Sequence, residues 1–235
     1  MKTHFSYALA GLMLLANTAE AGGGMEGFGV PSNMDFYGGG SVGTTSQDGA
    51  CGSIANPTGC EDSDKGYKIF GGARLKPNTE PGALPSLGVE GGYINFGESS
   101  ATGDLMNVRM GLSEDQGDIT SNSELSGVYA AGVAFMPVAP KTEILAKAGV
   151  MRWSQKNTRQ QTVIDAGVVD PLDERNISTS TSDSGFGGLL GVGAQYQMTD
   201  NLAVRGEYER GFGIGKDSNK TDPSLLSVGA VFSTY

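Results

Sequence analysis

The sequence predicts an all-β protein, an eight-stranded antiparallel up-and-down transmembrane β-barrel, and three observations carry that expectation. The chain starts as an exported one: Lys2 is basic, Tyr7 to Ala16 is apolar, and Ala19-Glu20-Ala21 is a small-residue cleavage pattern before Gly22. Leu189 to Gly213 then alternates in hydropathy over two runs of about ten residues joined at Thr199-Asp200-Asn201, a β-hairpin whose strands suit a tilted bilayer crossing. Its apolar set is Leu190, Val192, Ala194, Tyr196, Met198, Leu202, Val204 and Tyr208, while the opposite face carries Gln195, Arg205, Glu207 and Glu209. A soluble barrel turns its apolar face inward; a charged inner face behind an apolar outer one belongs to a barrel in lipid. Third, connections after odd-numbered strands are long or polar and those after even-numbered strands are short, the loop sorting of an outer-membrane barrel.

In chain order, Met1–Ala21 is the expected signal peptide and Gly22–Asn33 a glycine-rich flexible leader, with the barrel over residues 34–235. The first strand is expected at Asp35–Thr44, followed by a polar surface loop over Ser46–Asp64 that holds both cysteines. Gly66–Leu75 sets Tyr67, Ile69, Ala73 and Leu75 against Lys68, Phe70, Gly72 and Arg74. Lys76–Pro85, with three prolines, is a turn. Leu87–Phe96 places Leu87, Val89, Gly91 and Tyr93 on one face and Glu90 on the other. Gly97–Glu124 reads as a long loop with six acidic residues against Arg109.

Val128–Met136 is a strand with small or apolar residues on both faces, and Pro137 and Pro140 stop its ladder. Thr142–Trp153 sets Ile144, Ala146, Ala148 and Val150 against Leu145, Lys147 and Gly149. Ser154–Ser184 reads as a second long polar loop. The hairpin already described follows, then a polar link over Lys216–Asp222, and a last strand with Leu226, Val228, Ala230 and Phe232 on its apolar face. Tyr67, Tyr93, Trp153, Tyr196, Tyr208 and Phe232 are candidates for aromatic girdles. Strict alternation puts Trp153 on the side of Lys147, which requires a bulge or a position above the membrane.

Composition narrows the function classes. The 38 glycines suit turns and curved sheets. No segment beyond the signal has 18 consecutive apolar residues, so membrane crossing falls to β-strands. A net charge of −10 without a basic stripe speaks against nucleic acid as a partner. The single histidine, His4, lies in the signal peptide, which removes histidine-based triads and ordinary zinc sites from the mature chain. No catalytic, cofactor or metal residues are expected, and the chain is not expected to be an enzyme. Glu114, Asp115 and Asp118 read as a solvated loop rather than a cation site.

The stretches IFGGARLKPN, LGVEGGY, AFMPVAPKTEILAKAGVMRW, GVGAQYQMTDNLAVRGEYERG and LLSVGAVF resemble the transmembrane domain of OmpA-like outer-membrane proteins, over roughly Asp35–Tyr235. The resemblance implies an eight-stranded barrel in the outer membrane of a Gram-negative bacterium. It also implies outer-membrane lipid, lipopolysaccharide and the barrel-assembly machinery as partners. Many members carry a peptidoglycan-binding domain after the barrel; this chain is expected to be the barrel without it. Phe232 is in phase with the outward residues of the last strand and Tyr235 is not. The function expected is structural or surface display, with loops 97–124 and 154–184 open to an extracellular ligand in adhesion or surface recognition. A small low-conductance pore is the alternative, disfavoured because side chains fill an eight-stranded interior.

The interior itself should hold a charge network built on Glu90, Lys147 and Arg205, with Arg74, Gln195 and Glu207 around it. Each is counted as lying near the closest short turn. At ~3.3 Å per residue and a tilt of about 40°, they form one layer roughly 8–13 Å above the periplasmic rim. A looser, wet interior is the alternative. Cys51 and Cys60, ten residues apart inclusive in an exported chain, are expected to be disulfide-bonded rather than free. Peptide mass spectrometry without reduction should yield the cross-linked Cys51–Cys60 pair, and changing both to Ser should leave the barrel able to form. Loss of folding in the double variant would mean that the bond supports the barrel wall.

Overall fold

The computed structural model describes residues 34–48, 57–61, 63–75, 85–107, 115–164, 174–215 and 221–234. They form nine strands: β1 (Met34–Asp48), β2 (Pro57–Glu61), β3 (Ser63–Leu75), β4 (Ser86–Asn107), β5 (Asp115–Ala139), β6 (Thr142–Ile164), β7 (Glu174–Gln197), β8 (Leu202–Phe212) and β9 (Asp222–Ser233). Eight close a ring in the order β4-β3-β1-β9-β8-β7-β6-β5, with β5 pairing back onto β4. Every ring pairing is antiparallel. Closure leaves no sheet edge at membrane depth, the condition for strands to cross hydrocarbon. The signal and leader expectations for residues 1–33 fall outside the described residues.

Outward and inward positions alternate as the lipid demands. Val42, Leu87, Val89, Val150, Leu190, Val192, Leu226 and Val228 are exposed on the outer wall, while Lys68, Glu90, Lys147, Arg205 and Glu207 are buried within. Tyr67, Tyr196, Tyr208 and Phe232 also face outward, and Tyr67 packs beside Tyr93 on the neighbouring strand at 6.0 Å between rings. Trp153 is not a girdle residue. Its strand runs in unbroken register past it, so alternation aims it into the lumen, where it is 2 % exposed.

The short turns are built as the residue types require. Pro140 and Lys141 connect β5 to β6, and Lys141 takes a left-handed conformation with φ 68°. Between β7 and β8, the Met198 amide donates to the Leu202 carbonyl at 2.8 Å. The Leu202 amide donates to Thr199 Oγ1 at 3.1 Å, so the threonine caps the turn.

Above the membrane the structure departs from the loops expected at 97–124 and 154–184. Residues 98–107 pair with 115–124, residues 116–125 pair with 155–164, and 155–164 pair with 174–183. Most of both stretches is therefore strand. Once a strand leaves lipid its outer face is wet and need not be apolar, so the hydropathy alternation that marks a membrane strand disappears although the ladder continues. Gly97 adds a break. Its φ is 76°, and the register shifts between Asn95 and Glu98. Burial accordingly moves from Ile94 and Phe96 to Ser99 and Ala101. A side chain at Gly97 would also collide with Asp64, whose carboxylate accepts the Glu98 amide at 2.7 Å. The loop expected over Ser46–Asp64 likewise contains strand: the end of β1, the start of β3, and β2, which adds to the upper part of β4.

The wall is consequently uneven. Strands β5, β6 and β7 have 25, 23 and 24 residues, against 11 and 12 for β8 and β9. About ten residues cross a bilayer, so roughly half of each long strand stands clear of it.

Candidate functional site: a charged plug in the barrel lumen

Strand β6 turns Lys147 inward, β4 turns Glu90, and β8 turns Glu207 and Glu209. Lys147 Nζ lies 2.6 Å from Glu90 Oε1, 2.7 Å from Glu207 Oε1 and 3.0 Å from Glu209 Oε1. One ammonium thus holds three carboxylates. From there the contacts run in both directions. Upward, Lys68 pairs with Glu207 and lies 2.8 Å from Glu209 Oε2. Downward, Arg205 donates to Glu90 Oε2 and to Gln195 Oε1, both at 2.9 Å. Gln195 Nε2 is 3.4 Å from Glu143 Oε2, which takes Arg74 Nη1 at 2.9 Å. The Tyr129 hydroxyl donates to Glu90 Oε1 at 2.8 Å.

Four cations, Lys68, Arg74, Lys147 and Arg205, thus meet four carboxylates, Glu90, Glu143, Glu207 and Glu209. All but Glu143 have side chains no more than 3 % exposed. An unpaired charge at that depth would cost far more than a hydrogen bond returns. Aromatic rings take up cation faces that carboxylates leave open. The Arg205 guanidinium sits 5.0 Å from the Phe70 ring and 5.2 Å from Tyr37, and Arg74 lies 5.0 Å from Phe135.

Glycines make the room. At Gly191 an added Cβ would lie 2.9 Å from Lys147 Cγ, and at Gly193 2.8 Å from Glu207 Cγ. The strand beside the plug therefore presents bare backbone where the long side chains cross the lumen. Toward the outside, Ile94, Phe96, Leu125, Met151, Trp153, Leu189 and Leu225 are each at most 2 % exposed and form an apolar lid over the ions. Toward the periplasm a cavity of about 480 Å³ reaches Arg74, Glu143 and Gln195.

The structure brings together Glu90, Lys147, Arg205, Gln195 and Glu207 and places Arg74 at the periplasmic end of the same chain of contacts. The sequence expectation omitted Lys68, Glu209, Glu143 and Tyr129. Lys68 shares its face with Arg74, and Glu209 with Glu207, so alternation marks both as inward. Backbone height alone leaves them outside the expected layer, whereas their side chains reach down to the Lys147 cluster. Cys51 and the side chain of Cys60 lie outside the described residues, as do the side chains of Glu114, Asp115 and Asp118.

Reversing one charge tests the coupling. Arg205→Glu should destabilise the barrel against urea in lipid vesicles by on the order of 3–5 kcal/mol. Adding Glu90→Arg should restore part of the loss. Unfolding of the single variant at the unmodified protein's urea concentration would mean that these groups are solvated and independent.

Residues 31–234 match the family model described as the OmpA-like transmembrane domain. The chain is similar to outer membrane protein A of Yersinia pseudotuberculosis serotype I (strain IP32953), 29 % identical over 235 residues, which are 98 % of this chain and 55 % of that protein. It thus spans about half the length of this curated relative. Among solved structures it is similar to the attachment invasion locus protein Ail of Yersinia pestis, at 15 % identity and TM-score 0.42, covering 86 % of this chain and 99 % of that one. OprG of Pseudomonas aeruginosa follows at 13 % identity and TM-score 0.39, covering 86 % and 96 %. Neisserial surface protein A has 13 % identity and TM-score 0.37, covering 86 % and 97 %. The closed ring, the inside-out wall and the family match lead to one statement: this chain belongs to the OmpA-like transmembrane domain family and is a β-barrel of a Gram-negative outer membrane.

Proposed function

We propose that this protein is a closed barrel that displays a recognition surface outside the cell, acting in adhesion or surface recognition rather than in catalysis or transport. Met1–Ala21 directs export, the barrel-assembly machinery inserts the strands, and lipid and lipopolysaccharide contact the outward apolar belt. The observation that carries the reading is the inequality of strand length. A barrel that only had to span the membrane could stop all its strands near the height at which β8 and β9 stop. Extending β4 to β7 by roughly ten residues each orders a large polar surface, and ordering backbone costs about 1–2 kcal/mol per residue. Such an investment supports a surface with a binding role.

A pore is the second reading, and the plug weighs against it. A conducting path would have to pass both the apolar lid and the tightly paired ions.

The test is to shorten the extension. Residues 98–124 and 155–183 are each replaced by a short turn, and shift on boiling in gel electrophoresis is used to select variants that still fold. Laboratory Gram-negative cells displaying each form are then applied to arrays of immobilised proteins and glycans. Capture that the full-length form shows and the trimmed form lacks is the expected result. Equal capture by both forms would overturn the proposal.

A further inference from the structure

The extension has two lateral edges, and they are treated differently. On one side β2 covers the upper part of β4, pairing over Gly103 to Ser100. On the other side β7 pairs with β6 along its whole length, Glu174↔Ile164 to Tyr196↔Thr142, whereas β8 pairs with it only from Gly188 downward. Among the described residues, no strand pairs with the outer edge of β7 from Glu174 to Gly187.

The register says which backbone groups that edge presents. The Gln197 amide donates to the Lys141 carbonyl on the β6 side, and the Met198 amide to the Leu202 carbonyl on the β8 side. β7 runs without a bulge. Its odd-numbered residues therefore bond to β6 and its even-numbered residues aim both N–H and C=O at the open edge. Those are Asn176, Ser178, Ser180, Ser182, Ser184 and Phe186, a row of donors and acceptors at strand spacing.

Natural sheets blunt such an edge with lysine, proline or a bulge because it templates pairing with another chain. From Asn176 to Phe186, NISTSTSDSGF, there is neither lysine nor proline, and Asp183 is the only charged residue. Ser178, Thr179, Ser180, Thr181 and Ser182 are all exposed, so no bulky side chain stands in front of the backbone.

We infer that the outer edge of β7 between Asn176 and Phe186 is a binding site for an extended polypeptide segment of an external protein, which adds to the sheet as a further strand. The inference rests on the surface-recognition reading above and names its partner class. A row of alternating N–H and C=O groups 3.3 Å per residue apart is complementary to another strand. From Ser178 to Ser182 only small hydroxyl side chains surround it, so recognition there is carried by backbone and tolerates sequence variation in the partner. A second copy in the same membrane does not fit. Two barrels inserted in the same direction present parallel β7 edges, and a two-fold axis along the membrane normal sets identical residues at identical height. Parallel pairing requires facing strands to alternate which residue bonds, so the even-numbered groups of the two copies would oppose one another.

The test uses the full chain in lipid nanodiscs and a synthetic peptide copying Gln155–Ile164, the sequence that already pairs with the other edge of β7. Hydrogen exchange resolved to single amides should slow by about tenfold or more at Ser178, Ser180, Ser182 and Ser184 when peptide is added. Thr179 and Thr181, already bonded to β6, should not change. Ser180→Pro removes one edge-facing N–H without touching the β6 ladder, so it should abolish the added protection. Ser180→Ala should leave it intact. The same peptide N-methylated at alternate residues should give no protection. Absence of protection, protection without the even–odd pattern, or full protection in Ser180→Pro would each overturn the inference. The result is separable from the array experiment: capture lost on trimming, together with no peptide protection, would keep surface recognition and remove this edge as its means.

Discussion

The Lys147 ammonium, with carboxylates of Glu90, Glu207 and Glu209 all within 3.0 Å, is the interaction around which the rest of the lumen is arranged. Three carboxylates this close repel one another, so the cluster stands only while Lys147, Lys68 and Arg205 lie between them. That demands a narrow lumen in which the side chains meet without intervening water. Narrowness in turn demands inward glycines at positions such as Gly191 and Gly193, where Cβ atoms would meet Lys147 and Glu207. The apolar lid of Ile94, Phe96, Leu125, Met151, Trp153, Leu189 and Leu225 completes the enclosure and keeps the effective dielectric low, which strengthens each pairing.

Lipid explains why the lower half of this architecture is readable from residues and the upper half is not. Where hydrocarbon lies outside and charge inside, every second residue is constrained, and the runs Leu190–Met198 and Leu202–Tyr208 declare both strand and face. Glu90, Lys147, Arg205, Gln195 and Glu207 are legible for the same reason, as polar residues in otherwise apolar strands. Lys68 and Glu209 share that parity, but the length of their side chains, not their backbone height, brings them to Lys147. The lid was not legible. Leu125, Met151 and Leu189 are apolar residues on the inner face, and period-two hydropathy has no means of telling them from outward ones where both faces are apolar. Above the membrane the constraint vanishes, and Gly97 shifts the parity of β4, so paired strands look like polar loops.

The two halves of the barrel divide the protein's properties between them. The membrane half is sealed twice, by ions and by hydrocarbon side chains, and its outward belt answers to lipid. The upper half stands clear of lipid and is a sheet of unequal height, with β2 paired to β4 along one side and, among the described residues, no strand paired to the upper part of β7 on the other. Rigidity below and an accessible edge above are compatible because β6 and β7 run uninterrupted through both regions, in unbroken register from Thr142↔Tyr196 to Ile164↔Glu174. The plug thereby anchors the base of the same two strands that form the outer part of the extension.

The central claim is that the lumen is closed by this plug, and the most direct measurement is the single-channel current of the unmodified full chain in a planar lipid bilayer. A plugged lumen gives no steady conductance step above the bare bilayer. Stable open-channel steps from the unmodified protein would contradict the plug and put a continuous aqueous path in its place.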